Sequence, residues 1–234
     1  MFSLQGDRVL VVGGTSGIGL GAAQAMKAAG AAVTVASRSA EKVAAAAASA
    51  GVEGVVLDAG NDGAVEAFFA SRAPWNHVVV SVTAAHKGRI REMAMDDAMA
   101  SMNQKFWSAF RIARSGKFAP DGSLIFVSGQ VGKRPRIDAI LQGAINAGLE
   151  GLARGLALDL SPLRVNVVSP GPVDTPQLAT LSAAQREALE SAIERLPVRR
   201  IGAPADIGEA IVFLACNRFM TGATLRVDGG STVA

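Results

Sequence analysis

The chain has no tyrosine, and aromatic residues make up only 5% of it. No phenol is therefore available as a general acid, base or nucleophile. There is one cysteine, Cys216, which excludes an internal disulfide and suits a reducing compartment. It stands in the apolar run Ala210–Cys216, where a buried helix residue is expected. Charge of one sign is scarce too: the formal net charge is +3. The basic residues are scattered apart from Lys133-Arg134-Pro135-Arg136 and Arg199-Arg200, which read as a solvated face or an anion site, not as a nucleic-acid surface. No apolar run approaches the ~18 residues that would cross a bilayer. The first residues lack the basic start and cleavage site of a signal peptide. A soluble cytoplasmic protein with no nucleic-acid or membrane partner is the expectation, and no metal site is expected. No linker, repeat or low-complexity tail divides the chain, so one domain is expected over residues 1–234.

What is present is an alternation. Half of the 234 residues are hydrophobic, enough for a full core. Strand-like runs fall at Val9–Val12, Ala32–Ala36, Val55–Leu57, His77–Val82, Ser123–Val127, Arg164–Val168 and Thr224–Val227. Helix-like stretches lie between them, the longest at about Asp96–Lys117 and Ala139–Leu160, and Asp121-Gly122 reads as the turn before the fifth strand. This order predicts an α/β fold with one doubly wound, seven-stranded parallel sheet and helices on both faces. Such a sheet binds ligands at the C-terminal ends of its strands. The first strand runs into Gly13-Gly14-Thr15-Ser16-Gly17-Ile18-Gly19 and then into an alanine-rich helix. Strand, glycine turn and helix aim a helix N-terminus at a phosphate, so a dinucleotide ligand is expected.

Four motifs then point to a family. Gly13–Gly19 is similar to a TGxxxGIG turn, with Gly13 where threonine is usual. Arg164-Val165-Asn166 through Pro170-Gly171 to Thr175 matches RVN-x-x-x-PG-x-x-x-T, and Val227-Asp228-Gly229-Gly230 matches VDGG. Gly202–Ile207 is similar to G-x-P-x-[DE]-[IV]. In this order and spacing they resemble the short-chain dehydrogenase/reductase family over essentially the whole chain. The resemblance implies a Rossmann fold and a nicotinamide dinucleotide. It puts Gly13, Thr15, Ser16, Gly17, Ile18 and Gly19 around the pyrophosphate and Asp58 beside the adenine. Ser81 falls in the loop after the fourth strand, and Pro170, Gly171, Val173 and Thr175 form the nicotinamide wall. The second strand ends in Ala36-Ser37-Arg38-Ser39 with no acid. A guanidinium can fork onto a 2′-phosphate where a carboxylate would take free ribose hydroxyls, so Arg38, aided by Ser37, favours NADP(H) over NAD(H).

The chemistry that the resemblance implies is altered. The family's tyrosine falls at Gln142 and its lysine, four residues on, at Asn146; its serine falls at Gly129, beside Ser128, and its asparagine at Lys105, or at Asn103 if the register shifts by two. The usual Asn-Ala-Gly after the fourth strand is replaced by Ser81-Val82-Thr83-Ala84. An amide has no useful pKa, so Gln142 is no general acid. Asn146 can hold ribose hydroxyls, Ser128 can donate to a carbonyl, and Lys105 brings an ammonium whose pKa burial would lower. His86 is a further titratable group on the same rim. Three readings follow. One is an NADP(H) oxidoreductase for a carbonyl or alcohol with a non-standard proton donor among Ser128, Lys105, His86 and water. The others are a cofactor-binding protein without dehydrogenase activity and a non-redox enzyme on the same fold. Pro172–Leu196 is the expected lid, with Leu178, Leu181 and Leu189 beside Gln177, Arg186 and Glu187 making a mixed pocket. The two long helices and the C-terminal segment resemble those that pair subunits, so a homodimer or homotetramer is expected.

Overall fold

The computed structural model describes residues 2–83, 86 and 88–234. Seven parallel strands form one sheet in the order β3-β2-β1-β4-β5-β6-β7. They are β1 (Arg8–Val12), β2 (Ala32–Ser37), β3 (Glu53–Val56), β4 (Trp75–Val80), β5 (Phe118–Val127), β6 (Arg164–Pro170) and β7 (Thr224–Val227). The strand order reverses direction between β1 and β4, and the crevice at that switch point is where such sheets hold ligands. The central strands read as unbroken apolar runs because both of their faces are covered. In β1, Leu10 and Val12 face one core with Phe69, Trp75, Ile112 and Leu149, while Val9 and Val11 face the other with Met26, Ile207 and Leu214. Helices α3 (Asp62–Ala70), α5 (Ser108–Ser115) and α6 (Ile140–Asp159) cover the first; α1 (Gly17–Ala28) and α8 (Pro204–Cys216) pack together over the second. No helix among the described residues is long and apolar enough to cross a membrane.

Asp121-Gly122 does not form a turn before β5. Both residues lie inside the strand at an irregularity: Trp75 pairs with Phe118, but His77 already pairs with Ser123. Gly122 is pressed there so closely onto Asn76 that a Cβ would meet its carbonyl oxygen at 2.2 Å. The turn-forming dipeptide is used to absorb extra residues in a bulge.

The predicted helix Asp96–Lys117 is a continuous helical run with a defect in it. α4 (Met95–Met102) passes into a π-turn, Asn103–Trp107, and then into α5. The Ser108 hydroxyl donates back to the Asn103 carbonyl at 3.1 Å, across the widened turn. Such π-turns are rare and concentrate at functional sites. This one is centred on Lys105.

At the N-terminal ends of the strands, away from the crevice, the Arg164 guanidinium gathers the last carbonyls of α8. It donates to Leu214 O and Ala215 O, both at 2.7 Å, and to Asn217 O at 2.9 Å. At its other end α8 begins with Pro204, and the Asp206 carboxylate accepts from Ala203 N–H at 2.7 Å. The Arg200 fork, with that N–H, holds Asp206 down to about 2. The spacing G-x-P-x-D is thus a helix-start device that seats α8 against α1.

Candidate functional site

The glycine turn is shaped by two close approaches. Gly13 has φ +80°, and a Cβ on it would lie 2.6 Å from the Ser81 carbonyl oxygen. A Cβ on Gly19 would lie 2.1 Å from the Gly13 carbonyl oxygen. The turn therefore folds onto both β4 and its own helix as only glycine allows. The N-cap Ser16 makes no side-chain cap bond, and the first turn of α1 carries no acid. Its N–H groups are left for a ligand, with the positive end of the helix dipole behind them.

Two clefts open from this turn. The outer, of about 360 Å³, runs past Ser37, Arg38, Asp58 and Gly60. The inner, of about 310 Å³, runs past Ser128, Gly129, Pro170, Gly171, Val173 and Thr175. Both are lined by Gly13, Ser16, Ser81, Val82 and Thr83, so they form one groove across the switch point. The Asp58 carboxylate accepts from Gly60 N–H at 2.9 Å, which fixes the loop after β3. Lys42, in the first turn of α2 (Ala40–Ala50), is a second cation on the outer cleft beside Arg38. It was not foreseen; its signal is a lysine four residues beyond Arg38, where a helix start capped by Ser39 turns it back to the strand end.

At the inner end Lys105 is the focus. Its Nζ donates to Asn146 Oδ1 at 2.7 Å and to the Ser128 main-chain oxygen at 2.9 Å. Burial pushes the ammonium down to about 8. Asn146 is buried on α6, its amide pressed over Gly129, where a Cβ would stand 2.9 Å from Nδ2. The Ser128 hydroxyl points to Glu150 Oε1 at 3.2 Å and to Val168 O at 3.5 Å. Glu150, one helical turn beyond Asn146, is another residue that the sequence reading missed, since only the packing of α6 on β5 makes it a partner.

The expected cofactor residues Gly13, Thr15, Ser16, Gly17, Ile18, Gly19, Ser37, Arg38, Asp58, Ser81, Pro170, Gly171, Val173 and Thr175 all line the groove. Of the expected catalytic positions, Lys105, Ser128 and Gly129 line its inner end; Asn146, expected to hold the ribose as well, contacts Lys105 but is not part of the lining. Gln142, one turn before Asn146, does not line it. His86 lies outside it as well and faces Asp97 at 3.5 Å. Ala84 falls outside the described residues. The lid region forms a 3₁₀ turn, Pro176–Thr180, and α7 (Ala183–Glu194); Leu178, Leu181, Leu189 and Arg186 line a shallow groove between them, and Glu187 does not.

The family model described as enoyl-(acyl carrier protein) reductase matches residues 12–232. Over 245 residues the chain is 32% identical to the 3-oxoacyl-[acyl-carrier-protein] reductase FabG of Pseudomonas aeruginosa, covering 97% of this chain and 98% of that one. Among solved structures it resembles the MalC reductase/Diels-Alderase of Malbranchea aurantiaca, with a TM-score of 0.89 and 27% identity over 99% of this chain and 97% of that one. It also resembles a small-chain dehydrogenase in complex with NADPH, with a TM-score of 0.83 and 26% identity over 97% and 99% of the two chains.

Proposed function

Since the chain belongs to the short-chain dehydrogenase/reductase family, we propose that it is an NADP(H)-dependent oxidoreductase acting on a carbonyl/alcohol pair. The glycine cradle, too tight for any Cβ, fits a pyrophosphate, and the continuous groove fits an extended dinucleotide. When bound, the cofactor supplies or accepts hydride. The observation that carries the reading is the pair of cations, Arg38 and Lys42, on the outer cleft at the end of β2, where a 2′-phosphate would lie. Arg38 can make a bidentate contact and Lys42 a point-charge contact. The proposed cofactor set also includes Ser37, Asp58, Ser81 and Thr175.

The test is a fluorescence titration with NADPH and NADH. Arg38→Ala is expected to weaken NADPH by ~1.5–3 kcal/mol, the scale of hydrogen bonds to charged groups, and to leave NADH nearly unchanged. Lys42→Ala should act in the same direction by ~0.5–1 kcal/mol, because its exposed ammonium offers one solvent-screened point charge where Arg38 offers a bidentate fork. Equal losses for the two cofactors would refute the assignment. A cofactor-binding protein without dehydrogenase activity is the second reading, favoured by an amide at position 142 that stands off the groove. Turnover of NADPH with any member of a carbonyl panel separates the two.

A homodimer or homotetramer belongs to the same proposal. Met95, Met99, Trp107 and Phe110 form an exposed apolar stripe along α4 and α5, and Leu158 on α6 is 83% exposed. A stripe of this kind on a water-facing helix marks an interaction face. Light scattering at micromolar concentration should give a closed dimer or tetramer; a monomer would contradict it.

A further inference from the structure

Lys105 is the one titratable side chain among the described residues lining the inner cleft. The wall around it is glycine, proline, aliphatic side chains, uncharged hydroxyls and the Gln177 amide. Two of the three ammonium N–H bonds are taken by neutral oxygens, Asn146 Oδ1 and Ser128 O. No carboxylate pairs with it among the described residues. The charged groups on the elements packed around it are engaged elsewhere: Asp97 faces His86, Arg111 pairs with Asp62, Arg114 pairs with Glu66, and Glu150 accepts from the Ser128 hydroxyl. Asp96 on α4 and Arg154 and Asp159 on α6 are exposed. A half-buried ammonium held by neutral oxygens and without a counter-ion is costly to keep, and its proton is readily given up. Lys105 reaches the groove from the middle of the π-turn Asn103–Trp107.

The other candidates are less suited. The Ser128 hydroxyl is aimed at Glu150 and Val168 O, Gln142 is an amide off the groove, and His86 lies outside it. We infer that Lys105 is the catalytic acid that protonates the substrate oxygen in reduction and the base that removes the proton in oxidation, with Asn146 as its positioning residue. This rests on the proposed oxidoreductase reading of the groove. A bound nicotinamide cofactor would supply hydride to the carbonyl carbon, and the C=O π pair would move to oxygen. An Nζ–H bond of Lys105 breaks while the O–H bond forms. The carbonyl is reduced to an alcohol, the cofactor is oxidised, and the neutral amine regains its proton from water.

The test uses the full chain with NADPH and two probe carbonyls, phenanthrenequinone and ethyl acetoacetate. Reduction should fall as pH rises through about 8, where Lys105 loses its proton. Lys105→Met should lower kcat by ~10²-fold or more and abolish that pH limb, with NADPH affinity retained. Lys105→Cys on a Cys216→Ser background, alkylated with 2-bromoethylamine, should restore turnover with the limb moved to lower pH, because the inserted sulfur makes the amine less basic. A lysine needed only for structure would restore turnover without moving the limb. In the protein without substrate, cyanate labelling read by mass spectrometry should show Lys105 titrating near 8 and shielded by NADP⁺, with the exposed Lys27 unshielded. The inference is overturned if Lys105→Met keeps wild-type kcat and pH profile, or if NADPH-bound wild type reduces neither probe. Failure of wild type to bind NADPH overturns the oxidoreductase reading itself.

Discussion

Gly19→Ala is expected to weaken NADPH binding by ~10²-fold or more while the chain still folds. A methyl group at position 19 would stand 2.1 Å from the Gly13 carbonyl oxygen and 3.1 Å from Gly14 Cα. Neither neighbour is a side chain that can swing away, so the turn itself must open by about an ångström, a displacement that commonly costs ~10²-fold at a positioned site. The N–H groups of α1 and the Gly13 backbone would then no longer converge on one phosphate. Both cofactors should suffer equally, because the pyrophosphate is common to them; this separates the cradle from the 2′-phosphate contact at Arg38. Gly155→Ala is the control. Gly155 is exposed in α6 with nothing within 4 Å of its would-be Cβ, so alanine there should stabilise the helix by ~0.5–1 kcal/mol. Fluorescence titration and thermal melts of the two variants decide the matter. Unchanged NADPH affinity in Gly19→Ala would mean that the phosphates do not sit in this turn.

The glycine turn was legible in the sequence because its chemistry is local: contiguous residues supply both the turn and the donors. The same holds for the central strands, whose apolar runs follow from burial on both faces, and for Arg38, which lies directly at a strand end. What could not be read depends on packing or on backbone winding. The π-turn adds one residue to a helical turn without changing composition, so Asp96–Lys117 reads as a plain amphipathic helix. Asp121-Gly122 carries a turn signature, yet β4 captures it as a bulge because the Asn76 carbonyl occupies the space beside Gly122. Lys105 and Asn146 could each be placed by motif register, but they are 41 residues apart, and nothing in the chain's order says that they touch. Glu150 has no motif at all; it becomes relevant only where α6 lays it against the Ser128 hydroxyl.

The contact between Lys105 and Asn146 changes what restoring the usual residues should do. The motif register puts Lys105 at the family's asparagine position and Asn146 at its lysine position; on that register the two residue types are exchanged between α6 and the π-turn. Asn146→Lys alone would bring a second ammonium against Lys105 Nζ, which lies 2.7 Å from the present Asn146 Oδ1. Two such charges ~4 Å apart repel by about 4 kcal/mol at an effective dielectric of 20. The repulsion is limited because one amine can release its proton, and Lys105 is already held at about 8. The expected loss of stability is therefore ~1–3 kcal/mol at pH 6, shrinking as pH rises above 8. Lys105→Asn alone should cost ~1–2 kcal/mol by leaving Asn146 Oδ1 and Ser128 O short of a donor. The combined exchange, Lys105→Asn with Asn146→Lys, returns one ammonium and one amide to the same space. Its stability should approach wild type, giving a coupling of ~2 kcal/mol or more in a double-mutant cycle read by urea denaturation. Gln142→Tyr added to that exchange would place a phenol one helical turn before the introduced lysine, whose charge would lower the phenol from its usual pKa of ~10. Turnover of a simple ketone should then exceed that of the exchanged protein by ~10²-fold, the usual yield of a positioned acid. Gln142→Tyr in the wild-type background should gain less, since the Lys105 ammonium is tied to Asn146 and Ser128. Additive stabilities would show that the two side chains do not share one site, and an inactive triple variant would show that position 142 does not reach the reacting oxygen.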